Sequence, residues 1–237
     1  MMHTNNESAA TRTGFYISLV TAVTTLITFW IAFNTPPLSG PFCTANCFEY
    51  PYTDIITRFP RDYYWMYPTM FISILFICLM LHVHYLADSG KKFFSHLGLI
   101  FSVISASLLI PNYFVQVSVI QPSLLNGETE GIALFTQFNP HGVFIALEEI
   151  GFLMMNLAFF VIIPVFTGKK GLYRVMRLTW LIGFILALVA LILISITLGM
   201  EREYMFEVTI ISIVWIQLIL SSFLLSAVFK RKMKKNK

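Results

Sequence analysis

Charge is what this chain has least of: Asp, Glu, Lys and Arg make up 12% of its 237 residues, against about 25% in an ordinary soluble domain. With 57% hydrophobic residues and a mean hydropathy of +0.75, a water-soluble core is excluded and an integral membrane protein is expected. Cysteine is scarce too, and two closely spaced thiols supply only half of a zinc site. Alternation at the strand period is missing, which argues against a transmembrane β-barrel. There is no P-loop, dinucleotide fingerprint, G-x-S-x-G elbow or H-E-x-x-H pair, so no cofactor is expected. The basic residues follow no aromatic-studded groove, and nucleic acid is not an expected partner.

What is present is a series of long apolar runs. A helix needs about 20 such residues to cross the hydrocarbon core, and six stretches qualify, at about 15–33, 65–87, 93–120, 142–166, 178–200 and 206–229. The expected fold is all-α, a polytopic bundle of six transmembrane helices over 15–229, with a polar N-terminal segment, 1–14, and a basic tail, 230–237. The first run is long for a signal peptide and no A-x-A site follows it, so it reads as a retained helix.

Charge orients the bundle. With both termini cytoplasmic, the inner side holds Arg12, Lys91, Lys92, Lys169, Lys170, Arg174, Arg177 and the lysines and arginine of the tail. Only Arg58, Arg61 and Arg202 fall outside, as the positive-inside rule requires. The acids Glu49, Asp54, Asp62, Glu128, Glu130, Glu201, Glu203 and Glu207 are assigned to the outer side. Tyr63, Tyr64, Trp65, Tyr67 and Tyr204 gather at the expected boundaries. The tail is expected to lie on anionic inner-leaflet headgroups, at about 1 kcal/mol per charge. A plasma-membrane location follows most simply. The last four residues also fit a dilysine retrieval signal, which would place a eukaryotic protein in the endoplasmic reticulum.

Against this background two residues stand out. Glu148 and Glu149 are adjacent inside the fourth apolar run. Each carboxylate costs roughly 2.5–3.5 kcal/mol near a helix centre, while the best apolar residues offset only about 0.3–0.6 each. Insertion survives, but an intramembrane acid pair is a functional lead by default. Neighbours on a helix point about 100° apart, so the two need not face one cavity. His141 lies seven residues before Glu148, nearly two helical turns, and Asn156 lies seven after Glu149.

Other polar residues converge on the same outer half. Pro111 interrupts the third run and frees a backbone carbonyl, which is tolerated where protein or a wet cavity supplies a partner. Asn112 and Gln116 follow it one turn apart, and Gln217 lies in the sixth run. Asn112, Gln116, His141, Glu148, Glu149, Asn156 and Gln217 together form a candidate ligand- or proton-binding set, with Arg58 and Arg61 as candidate counter-charges. The long loop before the second run carries Cys43 and Cys47, which on the outer side can form a disulfide. Thr21, Thr24, Thr25 and Thr28 give the first run a hydroxyl stripe suited to close helix packing. His82 and His84 point to opposite sides of their helix and make a poor chelating pair.

Three functions remain open at this level. One is a small transporter or ligand-binding membrane protein, in which Glu148 and Glu149 hold a cation or proton and His141, Asn112 and Gln116 orient a small-molecule or ion ligand. A second is an intramembrane enzyme on a lipid or isoprenoid-like substrate, with a glutamate as general acid and His141 or the other glutamate as base. The third is a structural or regulatory subunit whose polar residues meet a partner's helices. Six helices with no evident internal repeat would also suit a homo-oligomer.

Overall fold

The structure, a computed structural model, describes residues 2–168 and 171–235; Met1, Lys169 and Lys170 of the expected inner loop, and Asn236 and Lys237 of the tail lie outside the described residues. Eight α-helices follow in order: α1 (Met2–Phe33), α2 (Met66–Leu86), α3 (Lys92–Val115), α4 (Gln121–Leu125), α5 (Ile132–Phe135), α6 (Val143–Val161), α7 (Leu172–Leu198) and α8 (Glu203–Lys235). No strand occurs among the described residues. Among the described residues, six helical segments are long and apolar enough to cross a membrane, carried by α1, α2, α3 with α4, α6, α7 and α8.

Several helices overrun the apolar windows. Residues 2–14 continue α1 rather than forming a separate segment, and α8 runs on through Lys234 of the basic tail. The reason is that backbone i→i−4 bonding persists into polar turns, whereas hydropathy registers only the apolar part of a helix. Pro111 does not end α3. The helix continues to Val115 and passes into a π-helical turn, Gln116–Ile120, before α4 resumes α-geometry. Such turns are rare and recur near functional sites.

Packing is annular. α1 lies against α2 and α8, α2 against α3, α3 against α6, and α6 against α8, which closes the ring; α7 leans on α8 and α6 from outside. Of the most apolar window in α6, 56% is buried, against 11% in α7, so α6 is the central helix and α7 the peripheral one. The core between them is aromatic: Phe76 meets Phe159 at 5.2 Å, Phe159 stacks on Trp180 at 6.0 Å, and Phe152 meets Trp215 at 6.1 Å. The hydroxyls of Thr21, Thr25 and Thr28 each donate to the carbonyl four residues earlier. They are therefore satisfied within α1, and the stripe is a packing seam.

The α3–α6 contact depends on missing side chains. A Cβ on Gly151 would lie 2.6 Å from Leu109 Cδ2, and one on Gly98 would collide with Ile162 Cγ2. Overpacking of this kind costs about 1–3 kcal/mol. Gly98→Leu and Gly151→Leu should each lower the thermal midpoint of the detergent-purified protein, whereas Gly90→Ala, which meets nothing within 4 Å, should not. Equal midpoints for all three would show that α3 and α6 do not meet through these glycines.

Candidate functional site

Glu148 is fully buried on α6, and two other helices supply its neighbours. From α3, the Tyr113 hydroxyl donates to Glu148 Oε1. From the second turn of α8, Glu207 brings its carboxyl within hydrogen-bonding reach of the Glu148 carboxyl. Glu148 Oε2 and Glu207 Oε2 are each buried and receive no donor from the chain. Among the described residues, no ion pair includes either acid. Two carboxyl groups within reach of one another can hydrogen-bond when one of them carries a proton, since an ionised carboxylate only accepts.

Glu149 points elsewhere, as the 100° step between neighbours requires. Its Oε2 lies 3.2 Å from Arg202 Nη1, just before α8 begins, and the Arg202 guanidinium also sits 5.6 Å from the centre of the Phe206 ring. The acid doublet is thus divided between two jobs: Glu149 has a cation, Glu148 has another acid.

Beside this arrangement is a cavity of about 340 Å³. One wall is the end of α1 and the loop after it, from Phe29 to Phe42; the other is α8, with Tyr204, Glu207, Ile211 and Trp215. Trp65, Phe138, Phe144 and Asp62 complete it. The loop is held over the cavity by the Cys43–Cys47 disulfide within it, by Phe48 against Phe138 at 5.2 Å, and by Phe42 against Tyr204 at 5.8 Å. Gly40, at φ +66, presses its backbone on the Tyr204 ring, where a Cβ would sit 3.1 Å away. A side chain there would be both strained and crowded. The lining is mainly apolar and rich in aromatic rings, where the sequence led to the expectation of a polar set.

The remaining candidates separate by role. Arg58 and Arg61 do not reach the glutamates. Arg58 Nε donates to Asp62 Oδ2 at 2.8 Å and Arg61 Nε to Asp62 Oδ1 at 2.7 Å, because all three belong to one tight turn leading into α2. The cation beside the acid doublet is Arg202 instead. Asn112 and Gln116 do not line the cavity. Asn112 Nδ2 donates to the Phe144 carbonyl at 2.9 Å; Gln116 Nε2 donates to the Phe135 carbonyl at 2.6 Å and its Oε1 accepts from the Gln137 N–H at 3.0 Å. These amides anchor the α5–α6 connection to α3. His141 precedes the first turn of α6, so helical spacing does not carry it onto the Glu148 stripe. Its side chain, 56% exposed, lies 3.7 Å from Glu201 and 3.6 Å from Glu203. Asn156 Nδ2 donates to Gln217 Oε1 at 2.9 Å, a lock between α6 and α8 about two turns beyond Glu149.

Three residues at the centre of the site were not among the candidates: Tyr113, Arg202 and Glu207. Glu207 had been counted as an outer-side acid. Reading the last helix from Glu203 shows it flanked by Phe206 and Val208 and followed by Ile210, which is the pattern of a residue carried into the bundle. Tyr113 had no comparable signal, since an aromatic in an apolar run reads as core. Among the described residues, no group of three His, Cys, Asp or Glu side chains converges as a metal site. No protein-family model matches the chain, and no curated protein or solved structure matches it either.

The Glu149–Arg202 contact yields a stability prediction. Removing one member of a buried pair costs roughly 3–5 kcal/mol, and Arg202, with its side chain 29% exposed, should fall at the low end. Arg202→Met should lower the thermal midpoint sharply, and Glu149→Met with Arg202→Met should restore most of the loss. A double variant no better than the single one would show that the ion pair is not what the single change disrupts.

Proposed function

We propose that the protein is a ligand-binding membrane protein, a binder or small transporter, whose site is the cavity at Glu207 backed by the proton-sharing pair Glu207–Glu148. In this reading the termini and the basic tail lie on the cytoplasmic face, and the cavity opens to the outer side. The charge distribution and the disulfide in the roofing loop both support that orientation, because disulfides persist in oxidising compartments.

The observation that carries the proposal is the meeting of a cavity with an acid that has no cation. Glu207, 7% exposed, lines the cavity on one side and faces buried Glu148 on the other. Its volume of about 340 Å³ lies at the lower end of the range for small-molecule sites, about 300–1,000 Å³. Apolar walls with a few polar groups are the usual composition of such sites. Glu148, sealed behind Glu207, then acts on the ligand indirectly, by holding or yielding the proton between them.

Binding is better supported than passage. Towards the other end of the bundle, fully buried Phe152, Phe159, Phe76 and Trp180 fill the space between the helices. Transport would require these rings to part. The enzymatic alternative has Glu207 on the cavity wall with Tyr204 and Asp62 as the other titratable lining groups, and two arginines already hold Asp62.

Access and field at the cavity can be measured without knowing the ligand. In a Cys78→Ala background, Ser212→Cys and Thr35→Cys, both on the cavity wall, should react with membrane-impermeant methanethiosulfonates added from outside intact cells. The cationic reagent should be faster than the anionic one by about 10-fold, the scale on which a low-dielectric cleft concentrates counter-ions. Glu207→Gln should erase that preference. Labelling only after permeabilisation, or with no preference of charge, would sink the proposal.

A further inference from the structure

We propose that the ligand of this cavity is a compact lipophilic ammonium ion, an apolar body with one protonated amine, which takes the place of the proton at Glu207. The inference rests on the binding-site reading above and adds the chemical class of the guest.

The walls argue for a cation on two grounds. Phe29, Trp65, Phe138, Phe144, Tyr204 and Trp215 surround the space, and aromatic faces attract cations, more strongly when water is excluded. The acid among them has no basic partner. Asp62 is held by two arginines, Arg58 and Arg61, and Glu149 by Arg202, whereas no described basic residue pairs with Glu207 or Glu148. A ligand bearing a carboxylate or phosphate would meet an unpaired acid at Glu207.

The donor set also decides which cation. A calcium ion takes six to eight oxygen ligands and magnesium a near-ideal octahedron. This cavity offers Glu207, an already engaged Asp62 and the neutral side-chain oxygens of Thr35, Ser39, Gln137 and Ser212, with apolar side chains elsewhere, and no three His, Cys, Asp or Glu side chains converge among the described residues. An ammonium on an apolar body needs far fewer oxygens, since one carboxylate meets the N–H donors and the rings meet the rest.

Exchange with the proton follows from the geometry. With Glu148 and Glu207 sharing one proton, the pair carries a single negative charge; an ammonium at Glu207 favours loss of that proton to solvent. The groups around Glu207 are Glu148 from α6, with Tyr113 of α3 behind it, and Tyr204 of its own helix. Beyond them lie Glu149 with Arg202 and Glu203, and Asp62 with its two arginines. None of these supplies a cation free to replace the ligand. Affinity for an ammonium should therefore weaken as pH falls, because the proton competes for the same carboxyl.

The test uses pairs of probes matched in shape: cyclohexylamine with cyclohexanol, 1-adamantanamine with 1-adamantanol, and decylamine with 1-decanol. Each is titrated into the full-length protein in nanodiscs, read by tryptophan fluorescence, to which Trp65 and Trp215 contribute from the cavity wall alongside Trp30 and Trp180, and by the shift of the thermal midpoint. At least one amine should bind about 10-fold or more tighter than its alcohol. That advantage should shrink by a similar factor between pH 8 and pH 5.5, and Glu207→Gln should abolish it without abolishing alcohol binding. Alcohols that bind as tightly as amines would overturn the ammonium assignment and leave the cavity reading intact. If no probe of either kind alters the fluorescence or the midpoint, both are overturned. Should Glu207→Gln fold poorly, Tyr204→Phe and Trp215→Phe in the wild-type acid background provide the second readout. Each should weaken the amine more than its alcohol, and equal weakening of both would count against the cation.

Discussion

A carboxyl group sealed among apolar side chains must find a donor, and at Glu148 that requirement organises one end of the bundle. It draws a tyrosine from α3 and a second acid from α8 to the central helix, so three of the five ring helices are tied at one depth. Glu149, one residue on, ties the same helix to the α7–α8 connection through Arg202. Around these ties the neutral amides Asn112 and Gln116 fix the backbone of the α5–α6 connection. The apolar contacts supply bulk cohesion, and the polar ones set which faces meet.

Two kinds of buried polar contact occur in this bundle, and the difference bears on function. Asn156 and Gln217 pair donor to acceptor, so that contact between α6 and α8 needs no shared proton. Glu148 and Glu207 pair acceptor to acceptor and are incomplete without a proton. The first is what helix packing alone would produce. The second is a contact whose occupancy depends on something that can leave, and the cavity borders that contact rather than the amide lock.

Much of the architecture was legible in the residues because hydropathy and length act locally. The six spans followed from apolar runs, and Cys43 and Cys47 stood close enough to pair. The site was legible in part. The cost of burying Glu148 and Glu149 is visible in one dimension; who meets them is not. Glu207 was hidden because acids at the start of a helix ordinarily belong to the membrane surface. His141 misled for the opposite reason, since seven-residue spacing carries a side chain onto a shared stripe only when both residues are helical, and α6 begins after Gly142. Arg58 and Arg61 were plausible partners for distant acids until a nearer one, Asp62, claimed both.

The position of Glu207 after α6 in the chain has a consequence for how the protein is made. α6 is synthesised with its acids before α8 exists, and Tyr113 of the earlier α3 satisfies only one oxygen of Glu148. Until α8 follows, the central helix holds an incomplete contact, and Arg202 arrives only with the start of that helix. Assembly of the loop-bearing end therefore waits for α8.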